Sequence, residues 1–196
     1  MATIPGFTRP ASAAPTRHRI TVEDFHRIGE AGVLGPDARV ELIDGEIIDM
    51  SPIGRLHAAM VSALHAAFHD ALHESAVIWV QNPIVLDEAT EPQPDISLLV
   101  PRDDFYGRRS PRADDVMLVV EVADTSLEHD LRVKVPRYAA AGVPEVWVID
   151  VVTRKTNRFR RPAGGSYADC DVVDPDGPLT HGPLSVTLAR LLPPLS

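Results

Sequence analysis

Two carboxylates stand in stretches that otherwise read as buried strands: Asp95 in "PQPDISLLV" and Glu121 in "VMLVVEVADTS". An ionised carboxylate in apolar surroundings is costly without a counter-charge, a metal ion or a raised pKa. If the two strands are neighbours, the side chains can converge on one point. A pair of acids with positions left for water suits Mg2+ or Mn2+. Glu41 is a third acid that could approach the same edge. Lys134 supplies a cation from the segment after Glu121. Asp130, Lys134 and Tyr138 recur at four-residue spacing, which puts them on one face of a continuous helix. Pro136 must either kink that helix or open a new first turn. Taken singly, each group has an ordinary structural use: Asp95 at a loop end, Glu121 beside an arginine, Lys134 with Asp130 as a solvated pair. The set carries the functional reading.

Cations for a polyanionic substrate are local. "RKTNRFRR" places Arg154, Lys155, Arg158 and Arg160 on an expected strand, and Arg102, Arg108, Arg109 and Arg112 cluster between the two acidic strands. Such groups could hold phosphates in a salt-dependent, largely sequence-independent way. A charged strand can equally serve to block edge-to-edge aggregation. His65, His69 and His73 share a face of one helix but have no evident third ligand, so they read as exposed helix residues.

These groups need a scaffold, and 196 residues suffice for one domain with a real core. With 44% hydrophobic and 24% charged residues, wholesale disorder is excluded. The formal charge of -9 argues against a protein that coats nucleic acid over its whole surface. The single cysteine, Cys170, excludes an internal disulfide and suits a cytoplasmic protein. Residues 1–18 read as a flexible arm and 19–196 as one domain, with no stretch long enough to span a membrane. Thr21 and Asp24 start a helix in "TVEDFHRIGEAG", and Asp44-Gly45 turns a hairpin in "RVELIDGEIIDMS". "RLHAAMVSALHAAFHDALHE" is a long helix; "AVIWVQ", "PIVLD", "DISLLV" and "VMLVVEVA" are short strands. "SLEHDLRVKVPRYAAAGV" is helical and "EVWVIDVVTRKTNRFRRP" makes two more strands, whereas the C-terminal part is weakly patterned. The succession predicts an α/β fold with a mixed sheet flanked by helices.

In order along the chain, "ELIDGEIIDMSP", His57, "PDISLLV", "VVEVADTS" and "KVPRYAAAGVPEVWVID" resemble the Uma-type "putative restriction endonuclease" family of the PD-(D/E)XK nuclease superfamily. The resemblance runs from about Glu41 to Arg161. It implies a restriction-endonuclease-like α/β core, with Asp95 and Glu121 as the metal-binding acids and Glu41 as the acid from the N-terminal part. The lysine that the superfamily often carries two places after the second acid is replaced by Ala123, and Lys134 on the next helix matches the Uma-type pattern instead. His57 matches a histidine of that pattern and is assigned a supporting role. The implied reaction is Mg2+- or Mn2+-dependent hydrolysis of DNA phosphodiesters, with the Val122 carbonyl completing the metal ligands and a homodimer addressing two strands. Two other readings stay open: an idle nuclease fold binding nucleic acid or a protein partner, and a metal-dependent phosphoesterase of small nucleotides.

Overall fold

The computed structural model describes residues 16–35 and 37–192. The expected N-terminal arm lies almost wholly outside them. The chain opens with α1 (Val22–Glu30), whose N-cap Thr21 and N3 residue Asp24 exchange the reciprocal hydrogen bonds of a capping box. A two-stranded hairpin follows, β1 (Val40–Ile43) against β2 (Glu46–Asp49), and then the long helix α2 (Arg55–Leu72). The hairpin turn needs its glycine. Asp44 and Gly45 both have positive φ (52° and 75°), and a Cβ on Gly45 would lie 2.6 Å from Cβ of Arg19. Gly45→Ala is expected to lower stability by about 1–3 kcal/mol, read as a lower urea midpoint with an unchanged slope.

The main sheet has six strands in the order β3-β4-β5-β6-β7-β8. These are β3 (Val77–Val80), β4 (Ile96–Leu99), β5 (Val116–Ala123), β6 (Glu145–Asp150), β7 (Thr156–Ala163) and β8 (Ser166–Val173). Only β5 and β6 run parallel, joined by a helical crossover containing α3 (Leu127–His129) and α4 (Val135–Ala140). A small hairpin, β9 (Leu179–His181) with β10 (Leu184–Val186), and the terminal α5 (Leu188–Leu191) complete the chain. The weakly patterned C-terminal part is therefore largely strand. "PIVLD" is a correction: Pro83 has no N–H to give, and Val85 bonds to the 111–113 segment in place of a sheet strand.

Both faces of the sheet are covered, which is why β5 reads as an unbroken apolar run. Leu118, Val120 and Val122 pack with Met60, Leu64 and Phe68 of α2. Val119 and Ala123 pack on the other face with Val135 and Tyr138 of α4. Strand alternation sends Glu121 to that same α4 face, although the position is as buried as its neighbours. No helix among the described residues is long and apolar enough to cross a membrane.

Candidate active site

Antiparallel pairing of β4 with β5 puts Ile96 opposite Val120, so Asp95 and Glu121 lie one step further along the same ladder. The Val122 N–H donates to Oδ2 of Asp95 at 2.8 Å. A residue's N–H and C=O leave a strand on the same edge, so the Val122 carbonyl also points toward Asp95. Oδ1 of Asp95 lies 2.8 Å from Nε2 of His57 and accepts from Nε2 of Gln81 at 3.3 Å. His57 is carried by the first turns of α2, whose N-terminus meets this edge of the sheet. The Asp95 hydrogen bond, working against burial, raises the His57 pKa.

Glu121 and Glu41 share one ammonium. Nζ of Lys134 is 2.8 Å from Oε1 of Glu121 and 3.2 Å from Oε2 of Glu41, and all three side chains are about 95% or more buried. The Tyr138 hydroxyl donates to Oε1 of Glu121 at 2.6 Å, and the Gln93 N–H to Oε2 of Glu41 at 3.2 Å. Asp130, also buried, accepts from Oγ of Ser126 at 2.7 Å. Arg137 ties the arrangement together: it pairs with Asp44 in the hairpin turn and donates to the Val133 carbonyl, fixing the Glu41 hairpin to the Lys134 helix.

The local backbone explains how Lys134 reaches this point. Residues Asp130–Lys134 form a π-helical turn, with the Val135 N–H bonded to the Asp130 carbonyl five residues back. Pro136, which has no N–H, then falls in the first turn of α4. The path from Leu127 to Ala140 is therefore helical throughout, and Asp130, Lys134 and Tyr138 are all buried.

Three buried carboxylates, Glu41, Glu121 and Asp130, thus act on one lysine, and a fourth, Asp95, lies beside Glu121. Burial pushes the Glu121 pKa up to about 8, with Lys134 opposing and the charges of Asp130 and Asp95 adding to the rise. Asp130 is raised by burial as well. Burial works against the Lys134 ammonium, but Glu121, Glu41 and Asp130 outweigh it and hold the lysine charged. Lys134 keeps Glu41 as a second partner beside Glu121. Glu121 and Asp95 line a cleft of about 280 Å³. Two hard carboxylates, a backbone carbonyl and surplus negative charge fit a Mg2+-type ion that keeps several of its waters. Among the described residues, no three His, Cys, Asp or Glu side chains form a ready-made metal cluster. Lys134 contacts both Glu41 and Glu121, at 3.2 and 2.8 Å, and Asp95 and Glu121, facing one another along the β4–β5 ladder, are the pair on which the fit rests.

The basic candidates are placed elsewhere. Arg158 and Arg160 of β7 both pair with Asp171 of β8, and Arg161 pairs with Asp169. Lys155 pairs with Asp174, and Arg154 donates to the Leu192 carbonyl. Arg102 and Arg109 pair with Asp104 and Asp115 while their guanidinium groups sit about 5–6 Å from the Tyr106 ring centre. His65 and His69 are exposed on α2, and His73 is its exposed C-cap at positive φ, outside the helix, so the three do not share one helical face. Several contributors had no sequence signal beyond proximity to Asp95 or Lys134: Gln81, Gln93 and His129, the last of which lies 3.5 Å from Glu41. Arg39 and Asp124 also line the cleft, although their positions gave no signal at all.

Two comparisons bear on the family and the fold. The model of a family described as "Putative restriction endonuclease", Uma2, matches residues 22–191. A crystal structure from Anabaena variabilis, described as a "putative nuclease belonging to DUF820", superposes with a TM-score of 0.69. It is 18% identical, and the match covers 88% of this chain and 97% of that one, a likeness that establishes the fold. No curated protein matches.

Proposed function

The chain belongs to the Uma2 family of restriction-endonuclease-like proteins, and from that premise and the acidic cleft we propose a divalent-metal-dependent DNA endonuclease. One observation carries the reading: two acids facing one another, Asp95 just before β4 and Glu121 in β5, line a cleft with Lys134 at 2.8 Å from the second. An abandoned site has no physical reason to keep a lysine and so many carboxylates desolvated together, because such a cluster opposes folding unless something binds it.

Asp95, Glu121 and the Val122 carbonyl are the residues that would hold Mg2+ or Mn2+. When bound, such an ion lowers the pKa of a coordinated water and stabilises charge that develops on a phosphodiester in hydrolysis. The chain does the rest. Lys134 holds its ammonium beside Glu121, where it can orient a water or offset negative charge on the phosphate. Glu41 fixes that ammonium from the other side, and Asp130 adds to the field that keeps it protonated. Tyr138 orients the Glu121 carboxylate, and His57 with Gln81 orients that of Asp95. None of these roles requires a nucleophilic side chain. A homodimer belongs to the same reading by family resemblance, and a cytoplasmic location by the single cysteine, Cys170.

The test is incubation of the full chain with DNA in Mg2+, in Mn2+ and in EDTA. Cleavage in either metal and none in EDTA is expected. A wild-type protein that leaves every DNA form intact in both metals would overturn the enzyme and leave a binding fold.

A further inference from the structure

The cleft that holds Asp95 and Glu121 is short of positive charge. Six carboxylates line it against two fixed cations, Lys134 and Arg39. Lys134 is 4% exposed and gives its ammonium to Glu121 and Glu41. Arg39 is placed differently. It is half-buried, and no carboxylate among the described residues pairs with it. Asp49 and Asp124 line the same cleft, yet Arg39 takes neither as a partner.

Strand geometry accounts for its position. The Met50 N–H donates to the Arg39 carbonyl at 2.8 Å, which carries the β1–β2 ladder one pair beyond Val40 and Asp49. Side chains two residues apart on a strand share a face, so Arg39 points to the same side as Glu41. Both line the cleft. Glu41 is buried and Arg39 is partly exposed, so the step from one to the other runs from the floor toward the opening. That step is about 6–7 Å of strand, comparable to the spacing of neighbouring phosphates along a nucleic-acid strand. The guanidinium is fastened at one corner, where Nη1 donates to the Ser51 carbonyl at 2.7 Å. An arginine carries five N–H donors in a rigid fork, so most of this fork is left for an anion.

We infer that Arg39 is the phosphate clamp of the cleft, gripping in bidentate fashion a phosphodiester next to the one that lies over Asp95 and Glu121. The ligand is backbone phosphate and not a base, so the contact adds affinity without sequence information. The inference deepens the nuclease reading and rests on it for the place of the scissile phosphate, whereas its own readout is binding. In a cleft so rich in carboxylates, the one arginine without an acid partner should weigh heavily on that binding.

Fluorescence anisotropy with a labelled DNA duplex in Ca2+, repeated in KCl from about 50 to 200 mM, reads the clamp directly. Arg39→Gln removes the charge but keeps an N–H for the Ser51 carbonyl. It is expected to weaken binding about tenfold and to reduce the slope of log K against log salt by about one. Arg39→Lys keeps the charge and loses the fork, so the slope should hold while binding weakens about threefold. Thermal melts check that each variant folds, and the lysine variant carries the test if the glutamine variant does not. The same proteins are then assayed for cleavage in Mg2+ and Mn2+. The expected binding changes without wild-type cleavage in either metal would keep the clamp and sink the nuclease. Wild-type cleavage with Arg39→Gln unchanged in affinity and slope would sink the clamp and keep the nuclease. Equal losses in both variants at an unchanged slope would make Arg39 a structural tie to Ser51 and overturn the inference. An Arg39→Lys variant of wild-type affinity, or a wild type that binds no DNA, would overturn it as well.

Discussion

Glu121→Gln is expected to abolish cleavage while making the metal-free protein more stable at pH 8. The two effects come from one desolvated charge. Glu121 is buried on the α4 face of β5, and burial lifts its pKa from the ordinary value near 4.5 to about 8. The folded state then binds this proton more tightly than the unfolded chain does, so stability falls as pH rises from about 4.5 toward about 8. His57 acts in the same direction. Its pKa is raised by Asp95, so its contribution is present below its unfolded value and is lost as pH rises through the folded one. Glutamine keeps the shape and the acceptor for Tyr138 but carries no charge at any pH. Lys134 loses one partner and retains Glu41 at 3.2 Å, which offsets part of the gain.

The net result at pH 8 in EDTA is a stabilisation of about 2 kcal/mol, or roughly 4–8 °C in Tm for a domain of this size. At pH 5 the two proteins should melt together. Cleavage, which needs the carboxylate oxygens, should fall by a factor on the order of 10³. Thermal melts across this pH range and a single-turnover assay supply both readouts. A variant less stable than wild type at pH 8 in EDTA would mean that Glu121 is ionised in the free protein and firmly paired with Lys134.

Much of this site is legible in the sequence because burial on both faces of a sheet leaves a strong mark. In "VMLVVEVA" nearly every position is apolar, so the one acid stands out, and β5 spans those residues in the structure. Asp95 is legible for the same reason. The four-residue spacing of Asp130, Lys134 and Tyr138 survives because the turn between them stays helical, although as a π turn. That turn has no pattern of its own: Pro136 announces only that a hydrogen bond is missing, not which carbonyl is re-bonded. What the sequence hid is long-range charge pairing. "RKTNRFRR" reads equally as a phosphate-binding strand or a charged edge, and nothing in it announces that Arg158, Arg160 and Arg161 pair with Asp169 and Asp171 from a segment whose strand signal is weak. The approach of Gly54 to Asp124 at the cleft is hidden for a related reason, since the two are seventy residues apart and neither belongs to a periodic pattern.

Lys134→Met carries the second large effect, and here stability and activity fall together. Methionine fills the aliphatic path of the lysine but leaves Glu41 and Glu121 buried without an ammonium. Removing one partner of a buried ion pair costs about 3–5 kcal/mol, a large share of the roughly 5–15 kcal/mol that holds a domain folded. The loss should be greatest at high pH and shrink toward pH 5, where Glu121 is protonated in the folded protein. Two additions then separate charge balance from catalysis. Glu121→Gln in the Lys134→Met background removes one of the two orphaned charges, so the double variant should regain at least about 1 kcal/mol over Lys134→Met alone. Mg2+ should raise the Tm of Lys134→Met more than that of wild type, because the ion supplies positive charge that the variant lacks. Neither addition returns an ammonium to the place beside the scissile phosphate, so the cleavage rate should stay about a hundredfold or more below wild type in both. Recovery of cleavage together with stability would make Lys134 a counter-charge only. Persistent inactivity in a refolded double variant, which also lacks the Glu121 carboxylate, decides nothing about the lysine. The Mg2+-stabilised single variant is therefore the one whose rate assigns its role.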